Sequence, residues 1–168
     1  MNQLLLILVI TFAVSIEASG QKCKYDFDKK DPMTGDRVRR CEISIKNYFI
    51  VNYYRKADTL RVELNVRFLG ERNFIVPKGN TIDFKLNDGP ILKLASAQDA
   101  APVSYVAANQ IMTSFAMTYY CTKEELQKIA EKGFSAVSSK IGDETITYEV
   151  KEKDIIRSAE KAKCMLVD

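Results

Sequence analysis

The chain has 168 residues, 25 of them basic and 22 acidic, a formal net charge of +3 and no histidine. The missing histidine excludes Ser-His-Asp and Cys-His nucleophile systems, histidine acid-base catalysis and histidine metal sites at once. The mild basic excess gathers only at Arg37-Val38-Arg39-Arg40. That cluster reads as a solvated strand end, since nucleic-acid binding calls for a continuous basic face with stacking aromatics.

Leu4 to Val14 is an uncharged, almost wholly apolar run followed by the small-residue stretch Glu17-Ala18-Ser19-Gly20. This is the layout of a secretory signal peptide, although Met1-Asn2-Gln3 supplies no basic side chain. The run is too short to span a bilayer, which needs roughly 20 apolar residues. The expected organisation is a signal peptide over 1–20 and one β-rich domain over 21–168, secreted or in the periplasm or cell envelope, with an uncleaved signal anchor as the alternative. Removal of 20 of the 168 residues leaves 148, enough for one real core.

Along that domain, Ile43 to Tyr54 is rich in Ile, Val, Tyr and Phe. It should pair as a hairpin with Leu60 to Phe68, where Leu60, Val62, Leu64, Val66 and Phe68 alternate with Arg61, Glu63, Asn65 and Arg67. Thr81 to Leu86 and Ile91 to Ala95 flank an Asp-Gly hairpin turn. Ser96 to Pro102 reads as a surface loop before a further strand pair that ends in a long strand, Ile111 to Tyr120. Thr122-Lys123-Glu124-Glu125 is a capping box that starts a helix over 122–132, stopped by Gly133. Phe134 to Ser139 and Glu144 to Val150 form another hairpin about Gly142-Asp143, and Ile155, Ile156, Ala159 and Ala162 make the apolar stripe of a closing helix over 154–163. The expected class is α+β, an antiparallel sheet or sandwich with two short helices.

Four cysteines, Cys23, Cys41, Cys121 and Cys164, follow the signal, and an even count in an exported domain reads as two disulfides. Three pairings are open. Asp26, Asp28, Asp31 and Asp36 gather enough oxygens for calcium, yet Lys30, Asp31 and Arg37 stand where an EF-hand needs an oxygen ligand, a glycine and a glutamate. A turn at Pro32 and Gly35 fits better. Ser158-Ala159-Glu160-Lys161 spells S-x-x-K but lacks the S-D-N and K-T-G partners, so it reads as an exposed polar helix face. Of the aromatic pairs Tyr48-Phe49, Tyr53-Tyr54 and Tyr119-Tyr120, half should face the core and half an outer surface. No cofactor motif, metal set or catalytic residue is assigned.

The opening C-x-Y with D-x-x-T-G (Cys23, Tyr25, Asp31, Thr34, Gly35) resembles a loose group of uncharacterised exported proteins of Bacteroidetes-type bacteria. Lys78-Gly79-Asn80, Leu86 to Gly89, Thr122 to Leu126 and a closing helix ending near a cysteine extend the likeness over most of the domain. Cys41 and Cys121 are additions to the group's pattern. The resemblance implies an extracytoplasmic β-rich domain and no particular activity.

The expected function is that of a non-enzymatic binding module for an extracytoplasmic protein or glycan, using a sheet face or the Ser96 to Pro102 loop. The alternatives are a histidine-free hydrolase built on paired carboxylates and a structural or inhibitory envelope protein. Neither nucleic acid nor a stable membrane span after signal removal is expected.

Overall fold

Period-two alternation builds most of this chain. The computed structural model describes residues 23–167, and the expected signal segment, 1–20, lies outside them. The elements are β1 (Phe27–Lys30), β2 (Arg37–Lys46), β3 (Phe49–Lys56), β4 (Thr59–Leu69), β5 (Thr81–Leu86), β6 (Ile91–Ala95), β7 (Val103–Ala107), β8 (Gln110–Tyr120), α1 (Lys123–Lys132), β9 (Phe134–Ile141), β10 (Glu144–Glu149) and α2 (Glu152–Leu166). They form a six-stranded sheet in the order β1-β2-β3-β4-β8-β7 and a four-stranded sheet in the order β10-β9-β5-β6. Both are antiparallel throughout. The architecture is α+β and mostly sheet, as the patterning requires.

One core joins the two sheets and the two helices. The larger sheet sends in Ile43, Phe49, Val51, Tyr53, Val62, Leu64, Phe115, Met117 and Tyr119, while the smaller contributes Ile82, Phe84, Leu94, Phe134 and Val137. Phe49 meets Tyr148 edge-on at 4.9 Å between ring centres, and Phe74 stacks on Phe115 at 5.0 Å. Each such ring removes 150–250 Å² from water, on the order of several kcal/mol before entropy is counted.

Two segments differ from the expected pattern. Ile43 to Tyr54 is not one strand, because Asn47 and Tyr48 turn the chain and the run divides between β2 and β3. The continuous run of β-prone residues hides that turn. Ser96 to Pro102 is a loop with Gln98, Asp99 and Ala101 exposed, but it is not wholly at the surface. Ser96 is buried and bridges Tyr119, and Ala100 is buried and pairs with Val76, so this segment ties the two sheets together. Its small side chains permit that close backbone approach.

The helices follow their local signals. Thr122 Oγ1 accepts from the Glu125 N–H at 3.1 Å while the Glu125 carboxylate accepts from the Thr122 N–H at 2.8 Å. Gly133, at φ +67°, ends α1, and a Cβ there would collide with the backbone oxygen of Ile155 on α2. α2 runs about a turn beyond the apolar stripe that announces it. Its last carbonyls are satisfied from far away in sequence: Arg55 Nη1 donates to Met165 O (3.0 Å) and Val167 O (2.9 Å), Arg39 Nη1 to Val167 O (2.7 Å) and Tyr25 Oη to Cys164 O (3.0 Å). These donors do the work of a C-cap motif. Arg39 is 6 % exposed. The basic cluster is therefore not a solvated strand end throughout: Arg37 pairs with Asp28 on the surface, Arg39 is spent on the helix terminus, and only Arg40 faces the open sheet surface.

Candidate functional site

The strand register sorts the outer face of the larger sheet into transverse rows. Arg40 on β2 stands beside Tyr54 on β3, Arg61 on β4 and Tyr120 on β8. Two residues along each strand, the next row is Glu42, Asn52, Glu63 and Thr118. A third row holds Ser44, Ile50, Asn65 and Ala116. Among the described residues the two-sheet core lies on the other side of this sheet. The curl of the sheet makes the outer face a groove of about 560 Å³ whose walls include Arg40, Glu42, Glu63, Arg67 and Tyr105, with Asn52 among them.

Asn52 is 3 % exposed, and its Oδ1 has no hydrogen-bond partner among the described residues. The Nε atoms of Arg40 and Arg61 on the same face are likewise buried without a partner. Leaving one buried polar group unpaired costs about 1–3 kcal/mol, so three on one face of one sheet make a concentrated expense of stability. The Arg61 guanidinium lies 4.2 Å from the centre of the Tyr54 ring, which holds the arginine along the row. Glu63 Oε1 accepts from Asn65 Nδ2 at 2.9 Å. Glu42 and Glu63 flank Asn52 from either side, their Cα atoms separated by two strand spacings, or about 10 Å.

The aromatic pairs divide as strand geometry demands. Phe49, Tyr53 and Tyr119 are wholly buried, while Tyr48, Tyr54 and Tyr120 face outward. Burial drives the Tyr53 hydroxyl well above its ordinary pKa, and that hydroxyl has no hydrogen-bond partner among the described residues.

The four cysteines form one disulfide, not two. Cys23 bonds Cys164 with Cα atoms 5.4 Å apart, tying the start of the described chain to α2. Cys41 and Cys121 are free. Cys41 lies on β2 and Cys121 just beyond β8, and β3 and β4 run between them. Three strand spacings, about 14 Å, exceed the roughly 7 Å that a disulfide can bridge. Burial pushes the Cys41 thiol up to about 11 and the Cys121 thiol up to about 12, so neither is poised as a nucleophile.

The aspartate cluster is a set of separate structural contacts. Asp28 accepts twice from Arg37, at 2.7 and 2.6 Å, and Asp31 accepts from Lys56 at 2.6 Å and from the Met33 and Thr34 N–H groups. Those bonds, led by the one from Lys56, hold the Asp31 carboxyl down at about 2. Asp26 accepts from Lys161 at 2.6 Å and from the Glu42 N–H at 2.7 Å. Among the described residues no group of His, Cys, Asp and Glu is arranged to hold a metal ion.

Ser158 and Lys161 do not act together. Ser158 is buried, not exposed as the helix-face reading has it; its Oγ donates to Ile155 O at 2.7 Å and accepts from the Phe134 N–H at 3.3 Å. Lys161 turns the other way, to Asp26 and to the Glu42 carbonyl.

The groove was half visible in sequence. The wet side of β4, Arg61, Glu63, Asn65 and Arg67, is plain from its alternation, but Arg40, Glu42 and Asn52 join it only through the register of β2 and β3. A polar Asn52 inside the apolar run Phe49 to Tyr53 was the one available signal.

Comparison of the chain with family models, with curated proteins and with solved structures finds no match. Fold and site together define the class: a two-sheet antiparallel α+β domain with a polar groove on the open face of its larger sheet. No helix among the described residues is long and apolar enough to cross a membrane.

Proposed function

We propose that this is an exported, non-enzymatic binding domain whose contact surface is the groove on the open face of the six-stranded sheet. The carrying observation is Asn52, almost fully buried at the groove with its oxygen unpaired. Proteins satisfy buried polar groups, and a partner bound there would satisfy this one. Export is supported by the apolar segment Leu4 to Val14, by the Cys23–Cys164 disulfide and by the likeness to exported Bacteroidetes-type proteins. The Ser96 to Pro102 segment is the weaker candidate for a contact surface, because Ser96 and Ala100 are buried and bridged and only Gln98, Asp99 and Ala101 are exposed.

The test is retention of native extracytoplasmic glycan or protein on immobilised, oxidised protein, compared with retention on Asn52→Leu and Arg40→Gln variants of unchanged circular dichroism. Material held by the parent and lost by both variants supports the groove. Equal retention overturns it.

A second reading rests on Glu42 and Glu63, two carboxylates facing one groove across Asn52. With their Cα atoms about 10 Å apart, carboxyl groups that come to within the roughly 6.5–9.5 Å of inverting glycosidases would make the domain a histidine-free hydrolase. Release of reducing ends from a polysaccharide, abolished in both Glu42→Gln and Glu63→Gln, would establish it.

A further inference from the structure

The unpaired atoms on the open face differ in kind, and their kinds specify a ligand. Arg40 Nε and Arg61 Nε are donors, whereas Asn52 Oδ1 is an acceptor. The two donors belong to one transverse row, on either side of Tyr54. The acceptor belongs to the next, between the carboxylates of Glu42 and Glu63. Two residues of strand, about 7 Å, separate the rows. A guanidinium fork is matched by a carboxylate. A row of amide and carboxylate oxygens is matched by hydroxyl groups, each of which can donate.

We propose that the groove binds an acidic saccharide: a sugar carboxylate lies against Arg40, the arginine of that row which lines the groove, and hydroxyls of the same or the adjoining ring donate to Asn52 Oδ1, Glu42 and Glu63. This assignment rests on the groove being the binding surface and names the ligand it takes. One pyranose ring with its hydrogen bonds covers the distance between the rows. A neutral sugar would leave the Arg40 guanidinium, whose Nε is buried and unpaired, without an anion. An extended peptide is a poorer fit, because it docks by adding to a free sheet edge, and β2, β3, β4 and β8 are interior strands paired on both sides.

The experiment is calorimetric titration of the oxidised protein with trigalacturonate, with its methyl ester as the neutral counterpart, and with a glutamate-rich peptide as the alternative anion. The acid should bind at least about tenfold more tightly than the ester, the difference one charge-assisted hydrogen bond supplies, and should weaken as salt is raised. Arg40→Gln should erase that preference, Arg61→Gln, outside the groove lining, should keep it, and Asn52→Leu should weaken acid and ester alike. The proposal is overturned by equal binding of acid and ester, by an Arg40→Gln variant that keeps the preference, by tighter binding of the peptide, or by no saccharide binding at all. If the bead comparison still loses its cargo in the groove variants, such a failure removes the acidic saccharide alone. If that comparison shows no difference, the binding surface itself falls.

Discussion

Replacing Cys23 and Cys164 together by serine removes the covalent tie between the N-terminal segment and α2. The bond closes a loop of sequence separation 141, for which the chain-entropy relation gives about 5 kcal/mol at 25 °C, at the top of the roughly 2–5 kcal/mol lost when native disulfides are removed. The folded state should survive. α2 is also held by Tyr25, Arg39 and Arg55 at its carbonyls and by Lys161 on Asp26, and its inner face belongs to the common core. Equilibrium urea unfolding of parent and variant, read by circular dichroism, should therefore show one cooperative transition in each, shifted down by about 2–5 kcal/mol in the variant. Added reductant should lower the parent toward the variant and leave the variant unmoved, because Cys41 and Cys121 are already thiols. A loss below about 1 kcal/mol would refute the long-loop argument. A further fall of the variant under reductant would reveal a second disulfide and refute the cysteine assignment.

Gly133→Ala should cost about 2–4 kcal/mol, since the positive φ is strained for alanine and the new Cβ meets the Ile155 carbonyl; a melting temperature within a degree of the parent would show that the junction of α1 and α2 yields. Tyr53→Phe deletes a buried hydroxyl that has no partner, so thermal unfolding should be unchanged or raised by up to about 1 kcal/mol, and a loss above that would mean the hydroxyl is satisfied by Cys41 or Cys121. The Asp31 carboxyl is depressed from 3.8 to about 2. Its stabilisation is thus fully present above the unfolded value and lost as pH falls through the folded one. The gap in urea midpoint between parent and Asp31→Asn should close between about pH 4 and pH 2, and a gap that stays constant over that window would show that Lys56 and the turn do not hold the ionised form.

Local rules carried most of the fold. The alternation of Leu60 to Phe68, the Asp88-Gly89 turn, the Thr122 and Glu125 box and the Gly133 stop each concern neighbours in sequence, and each appears in the structure where its residues place it. What sequence hid was contact between distant segments. The extra length of α2 depends on Arg39 and Arg55, more than 100 residues earlier. The bridges of Ser96 and Ala100 depend on Tyr119 and Val76, and composition alone makes that stretch look like a loop. The groove is hidden for the same reason, as its rows cross four strands and exist only once the register of β2, β3, β4 and β8 is known. Cysteine counting failed where parity was taken as pairing: Cys41 and Cys121 behave as small buried apolar side chains, a common fate of free cysteine.

The central claim is that Asn52 is kept for a ligand and not for the fold, and the most direct measurement is the unfolding free energy of oxidised Asn52→Leu without added ligand. Leucine keeps the branched heavy-atom skeleton of asparagine, although it is larger, and has no unpaired oxygen. The variant should be at least as stable as the parent, by up to about 1–2 kcal/mol. If Asn52→Leu and the smaller Asn52→Ser are both destabilised by more than about 1 kcal/mol, overpacking is ruled out as the common cause, the Asn52 amide is bonded within the folded chain, and the groove loses the observation on which its binding role rests.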